Sequence, residues 1–298
     1  MQNTSTKKGQ NQPASLTAGK PIEFQRPVLD RVTLLGDFKH TDQNMETLSK
    51  HPDFEQSAWA KHPYLQSLVT SSGIDIRVAD QKAKVAQVRI DFNPAKIDTK
   101  GTLFEAILPM LKNKRFSRLD YALDTTTDLS EWSFTTANAK QTTTYRSRTG
   151  RLETLYLGSR ESADQYRIYD KQLESNLPMS LWRIEQQLRF SPEDNFFLRL
   201  PFSDLVMFRF AADVDGTDAI VLEAIARQPD HLSKLADFSR RKFRRLLKDS
   251  AKLTYCTPHP FHAFMAGFQP LSDLLAYWLQ PEYKTFSEYT EKGEYRYA

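Results

Sequence analysis

RFSRLDYALD, residues 115–124, is the stretch from which the fold is read. With the two-residue period of a strand, Arg118, Asp120, Ala122 and Asp124 share one face, while Leu119, Tyr121 and Leu123 share the other. The apolar side reads as a core face and the charged side as one that looks away from it. LWRIEQQLRF (181–190) repeats the design, with Arg183, Glu185, Gln187 and Arg189 opposite Trp182, Ile184 and Leu188. AQVRIDFNP (86–94) does so with Arg89, Asp91 and Asn93. In YLGSRESADQYRIYDK (156–171), Arg167, Tyr169 and Lys171 fall opposite Tyr166, Ile168 and Asp170.

Working outward, strand-like runs occupy 28–37, 74–79, 84–92, 115–124, 141–148, 152–157, 164–171 and 181–189, most alternating polar with apolar as antiparallel strands with one covered face do. TLFEAILPMLKNK (102–114) has helical spacing interrupted by Pro109. Beyond about residue 200 the character changes, and 218–228, 231–250 and 270–280 read as helices. The expected fold is α+β: a largely antiparallel β-sheet core with helices packed on it, followed by a mostly helical C-terminal region. The expected division is a disordered polar tail over 1–24, a sheet domain carrying the chemistry over 25–200, a helical region over 201–282 and a polar tail over 283–298.

Bulk properties narrow the classes. The 298 residues hold 41 Lys and Arg against 37 Asp and Glu, a formal charge of +4 that suits a polyanion without demanding one. A single cysteine, Cys256, excludes an internal disulfide or a cysteine-built zinc site. No run of about 18 apolar residues and no signal-peptide pattern occurs, so a soluble, cytoplasmic protein with no membrane partner is expected. The phosphate-cradling motif GxxxxGK[ST], the dinucleotide motif GxGxxG, the zinc motif HExxH and the GxSxG elbow are all absent. The closest histidines, His259 and His262 in HPFH, are separated by Pro260. An active site here has to be built from carboxylates, a tyrosine and cations.

Those residues are at hand. Carboxylate oxygens suit Mg²⁺ or Mn²⁺. Four residues of strand put Asp120 and Asp124 about 13 Å apart, so one of them with Glu185 is the economical cation site, Asp120 first and Asp91 behind both. Tyr169 is a candidate nucleophile whose phenolate Arg167 and Lys171 can stabilise, or those two can hold the phosphate. Tyr166 points to the other face, which leaves one working tyrosine per chain. Arg160, in a Gly-Ser-Arg turn, is a candidate phosphate ligand. DFSRRKFRRLLKDS (237–250) presents Arg240, Arg241, Lys242, Arg244 and Arg245 beside an apolar stripe of Leu235, Phe238, Phe243, Leu246 and Leu247, a candidate nucleic-acid helix. The plainer reading is cross-strand ion pairing on a wet sheet.

YLGSR, RIYDK with Glu174 after it, WRIE and RLDYALD together resemble the replication-initiation-factor family of rolling-circle plasmids, which also contains nicking relaxases of integrative elements. The resemblance spans about residues 28 to 190. It implies a metal-dependent, sequence-specific nick of one strand at a plasmid double-strand origin, a tyrosine joined to the 5′ phosphate, a free 3′ hydroxyl that primes synthesis, and later rejoining. It also implies a homodimer, a single-stranded region at the nick and a host helicase as partner. Tyr169 takes the nucleophile role, and Asp120 or Asp124 with Glu185 the metal role. Thr125 stands where relatives carry a second acid. The alternatives are a relaxase of an integrative conjugative element with the same chemistry, and a DNA-binding replication regulator with none.

Overall fold

The computed structural model describes residues 21–279, apart from 58–61, 81–83, 99–101, 137–138, 196–197, 211–217, 219–220, 223–224, 226–230, 249–252 and 257. Its strands in chain order are β1 (Val28–Phe38), β2 (Phe54–Gln56), β3 (Tyr64–Thr70), β4 (Asp75–Ala79), β5 (Val88–Phe92), β6 (Leu111–Thr125), β7 (Ser133–Thr136), β8 (Thr142–Arg146), β9 (Leu152–Leu157), β10 (Asp164–Asp170), β11 (Trp182–Arg189), β12 (Leu205–Phe210) and β13 (Leu253–Tyr255). Ten of them form one sheet in the order β2-β3-β4-β5-β1-β6-β11-β10-β9-β8, and β13-β12-β7 form a second. Every described pairing is antiparallel. The α+β class read from alternation is the observed one.

The alternation also chooses the buried face. Leu119, Tyr121 and Leu123 of β6, Tyr166 and Ile168 of β10, and Ile184 and Leu188 of β11 are all buried in one cluster. Two C-terminal helices, Pro260–Met265 and Gln269–Leu279, close that face. Buried Ser272, Leu275 and Trp278 recur every three residues along the second, the stripe a helix needs to lie on a sheet. Trp278 meets the ring of Phe92 at 5.2 Å between centroids and that of Phe104 at 5.6 Å, both edge-on. Phe264 meets Tyr121 at 5.2 Å. With one face so covered, the other is left to its charges.

Several expectations change. The helix expected over 102–114 is Thr102–Ile107 followed by a single tight turn, Leu108–Met110, after which β6 begins at Leu111. Pro109 lacks the N–H a continuing helix would use, and the completely buried Leu111 draws the chain into the sheet. The region from 201 onward is not purely helical, because β12 and β13 pair with each other and β12 pairs with β7. The helix expected over 231–250 is two, His231–Lys234 and Asp237–Lys248. Most of 218–228 lies outside the described residues, as do 1–20 and 280–298. The tail expected over 1–24 already packs at its end: Ile22 is buried and Phe24 bridges Thr125.

Candidate active site on the open face of the sheet

Register aligns the polar residues of five strands into rows. Tyr156 of β9, Arg167 of β10, Glu185 of β11 and Ala122 of β6 stand side by side, and in the next row so do Thr154, Tyr169, Arg183 and Asp124. Ala122, with only a methyl group between Asp120 and Asp124, gives Glu185 no charged partner beside it on β6. On β1 the pairing with β6 slips between Leu29 and Arg31. Leu29 and Val32 are both buried, so the two residues between them turn outward together, as a bulge allows. Asp30 thereby joins the site.

Each acid has its own setting. Arg183 is chelated by Asp124, with Nε to Oδ1 at 2.6 Å and Nη2 to Oδ2 at 2.7 Å, and reaches Asp30 through Nη1 at 2.6 Å. Burial opposes the charge on Arg183, but the Asp124 carboxylate holds its guanidinium above the usual range. Asp120 is chelated in the same way by Arg118, with Nε to Oδ1 at 2.7 Å and Nη2 to Oδ2 at 2.5 Å, yet burial outweighs that partner and raises its pKa. Asp91 is held by Arg89, Thr33 and Arg31. Glu185 has no such cation of its own. Burial, with the negative charges of Asp30 and Asp120, pushes its carboxyl up to about 7.

A divalent cation is therefore tested by the donor set. Asp30, Asp120 and Glu185 line one cleft together with Asp91. Among the described residues no three His, Cys, Asp or Glu side chains already enclose a point. Glu185, raised chiefly by burial, stands beside two further carboxylates, an all-oxygen set of the kind a hard cation takes, although Arg31, Lys96 and Arg118 line the same cleft. Asp124 does not line that cleft; its two oxygens are engaged by Arg183 as those of Asp120 are by Arg118, so the cleft alone separates the two acids. Asp30 is the acid that sequence reading missed, because a bulge shifts it out of the alternating pattern.

Tyr169 lies on this face, as its parity requires, but only 2% exposed. Its Oη is 3.5 Å from Glu185 Oε2 and 3.4 Å from Lys171 Nζ. The Arg167 guanidinium lies 3.9 Å above its ring. Burial first, then the charge of Glu185, raises the phenol pKa above its ordinary value. Tyr166, on the opposite side, is buried and donates to Asp204 at 2.5 Å. The neighbouring Asp170 caps the helix Lys171–Ser175 by accepting from the Leu173 amide at 3.1 Å.

Beside the phenol a second cleft opens, lined by Arg31, Arg118, Arg160, Arg167 and Arg189 with Tyr156 at its wall. Burial and the neighbouring charge of Arg118 lower the Arg189 pKa, the mark of crowded cations. Arg160 sits after Gly158, whose φ of +92° and close approach to the Asp164 carbonyl suit a residue with no Cβ. The Arg160 carbonyl accepts from Arg189 at 3.1 Å.

The helix Asp237–Lys248 departs from expectation. Phe238, assigned to its apolar stripe, is 83% exposed, and Phe243 is the residue that packs on Leu222 and Ile225. Lys242 is ion-paired with Asp218 at 2.6 Å, and Arg240 donates to the Ser233 and Leu235 carbonyls. Arg241, Arg244 and Arg245 form the exposed cationic edge.

The molecule is thus an α+β protein that offers a tyrosine, clustered acids and a line of arginines on the uncovered face of one antiparallel sheet. Comparison with known proteins narrows the class. The chain is 27% identical over 240 residues, 74% of each chain, to a replication initiation protein of Staphylococcus aureus. It is 27% identical over 177 and 173 residues to two further proteins of that name from the same species, covering 56% and 54% of each chain. The chain is thus similar to replication initiation proteins, over 74% of its length in the first of these comparisons. A solved rolling circle replication initiator protein from Geobacillus stearothermophilus overlaps 56% of this chain and 75% of its own at 17% identity, with a TM-score of 0.41. No family model matches the chain.

Proposed function

We propose that this protein initiates rolling-circle replication of a plasmid by nicking one strand of the double-strand origin with Tyr169 and later rejoining it. The observation that carries the reading is the position of the Tyr169 hydroxyl between Lys171 and Glu185, at 3.4 and 3.5 Å, next to an arginine-lined cleft. Tyr169 Oη attacks the scissile phosphorus as its proton passes to a neighbouring acceptor, the P–O3′ bond breaks, and the departing 3′ oxygen takes up a proton to become the primer hydroxyl. A 5′-phosphotyrosine link remains and stores the bond for religation. Lys171 and Arg167 balance charge on the phenolate and on the phosphate. Arg160 and the arginines beside it hold the single-stranded segment at the nick, and Arg241, Arg244 and Arg245 bind flanking duplex phosphates.

Glu185, Asp120 and Asp30 would hold a Mg²⁺ or Mn²⁺ ion, and Asp124 would instead fix Arg183. When bound, such an ion supplies positive charge that favours the phenolate and stabilises the charge developing at phosphorus. A homodimer, cooperation with a host helicase and a cytoplasmic location complete the proposal. Among the described residues no helix is long and apolar enough to cross a membrane.

The test is incubation with supercoiled origin DNA and Mn²⁺. The expected product is a nicked circle with protein attached at the IYDK peptide, seen by mass spectrometry and absent from Tyr169→Phe. Tight binding with no covalent product under these conditions would instead make the protein a non-catalytic regulator.

A further inference from the structure

We infer that Glu174 is an internal stand-in for the DNA phosphate: its carboxylate occupies the anion subsite formed by Arg167 and Lys171 and keeps Arg167 folded over Tyr169 until a phosphate displaces it. This rests on the reading of Tyr169 as the nucleophile. Glu174 Oε1 accepts from Arg167 Nη2 at 2.6 Å, and its Oε2 accepts from Lys171 Nζ at 3.3 Å. Arg167 in turn is clamped between two rings, 3.9 Å from the centroid of Tyr169 and 5.9 Å from that of Tyr156. One carboxylate thus bonds both Arg167 and Lys171, and the guanidinium it anchors roofs the ring.

The arrangement is poised to exchange. The Arg167 Nε is buried without a hydrogen-bond partner, so this pose leaves a donor unmade that a swing outward would satisfy. Glu174 sits one turn from Lys171 on the helix Lys171–Ser175, with its side chain 36% exposed. An ion pair this open to solvent is weak. A phosphate offers the same guanidinium a bidentate partner of greater charge. Displacement involves no covalent step. Glu174 leaves, the phosphate takes its place on Arg167 and Lys171, and the phenol is uncovered only when its target is already beside it. Glu174 is therefore a positioning residue and not a catalytic one.

Nitration of the full chain by tetranitromethane, without DNA or metal, tests this. Trypsin separates Tyr166 (peptide 161–167) from Tyr169 (168–171), so each can be followed by mass spectrometry. In the wild type Tyr169 is expected to react far more slowly than Tyr145, which is 56% exposed. Glu174→Gln should speed nitration of Tyr169 about two- to fivefold, the population change expected on losing a half-exposed ion pair. Tyr121 and Tyr166, both buried on the covered face, should stay silent and so report that the fold is intact.

Inorganic phosphate should accelerate nitration of Tyr169 in the wild type and have no further effect in Glu174→Gln. The wild-type half of this arm needs no variant at all, and Glu174→Asp, too short to span both cations, should fall between. A wild-type Tyr169 as reactive as Tyr145, or insensitive to phosphate, overturns the inference. So does a folded Glu174→Gln with the wild-type rate. Nicking of origin DNA is scored separately: loss of the covalent product in the wild type would remove the nucleophile reading, whereas the nitration rates decide the mask.

Discussion

Replacing Arg183 by Met is expected to destabilise the protein by about 3–5 kcal/mol, the usual cost of removing one partner from a buried ion cluster. The Arg183 side chain is 10% exposed, and its partners Asp124 and Asp30 are 13% and 29% exposed. Methionine fills the volume of the stem but leaves two carboxylates facing each other with no cation between them. Were this a surface pair, the loss would be under about 1 kcal/mol; the partial exposure of Asp30 puts the expectation toward the lower end of the buried range. Urea unfolding followed by tryptophan fluorescence suits the measurement, because Trp182 is completely buried next to Arg183. With a slope of about 3 kcal/mol per M for a chain of this size, the midpoint should fall by about 1 M. Adding Asp124→Leu should recover much of the loss, since the more buried of the two stranded carboxylates goes with it. A midpoint within about 0.3 M of wild type, or a double variant no more stable than the single one, would refute the claim that these charges are energetically buried.

Trp278→Ala should cost about 3–5 kcal/mol by opening a cavity where Phe92, Phe104 and Phe116 meet, and calorimetry would show it as a lower melting temperature. Gly158→Ala forces a Cβ to within 2.7 Å of the Asp164 carbonyl at a φ of +92°; a loss of about 1–3 kcal/mol in chemical denaturation is expected. Glu185 keeps its proton up to about pH 7 in the folded chain against the ordinary 4.5 of a free glutamate. The folded state therefore binds the extra proton between those values, and stability of the metal-free protein should fall as pH rises from about 4.5 to 7. By the same competition Mn²⁺ affinity, read by calorimetric titration, should weaken about tenfold per unit as pH drops below 7, and a flat profile would argue against Glu185 as a ligand.

The large sheet was legible because most of its strands bury one face only, so β6, β9, β10 and β11 carry the period of two in their residues. Strands such as β3 and β12, YLQSLVT and LVMFRF, have no clean alternation and went unread. The start of β6 was hidden behind a run with helical spacing, where Pro109 proved the stronger signal. Placement of Tyr169, Glu185 and Asp120 on one face followed from parity alone. Asp30 could not be reached that way, since a bulge changes parity without leaving a mark in composition. Nor could the cover over Tyr169, which depends on where Arg167 turns and on Glu174 coming back from the next element. In the helix Asp237–Lys248, Phe238 and Phe243 are both aromatic and five residues apart, and only packing on Leu222 and Ile225 tells the buried one from the exposed.

Strand β10 lies inside the ten-stranded sheet, bonded to β9 along one side and β11 along the other. A pull on the Tyr169 side chain in the direction of the strand would load both ladders side by side, many bonds resisting at once, where an edge strand would peel one bond at a time. Under the proposed function, a strand of DNA joined to Tyr169 would thus be anchored in a strand hydrogen-bonded on both sides, and tension along that strand would be shared between two ladders.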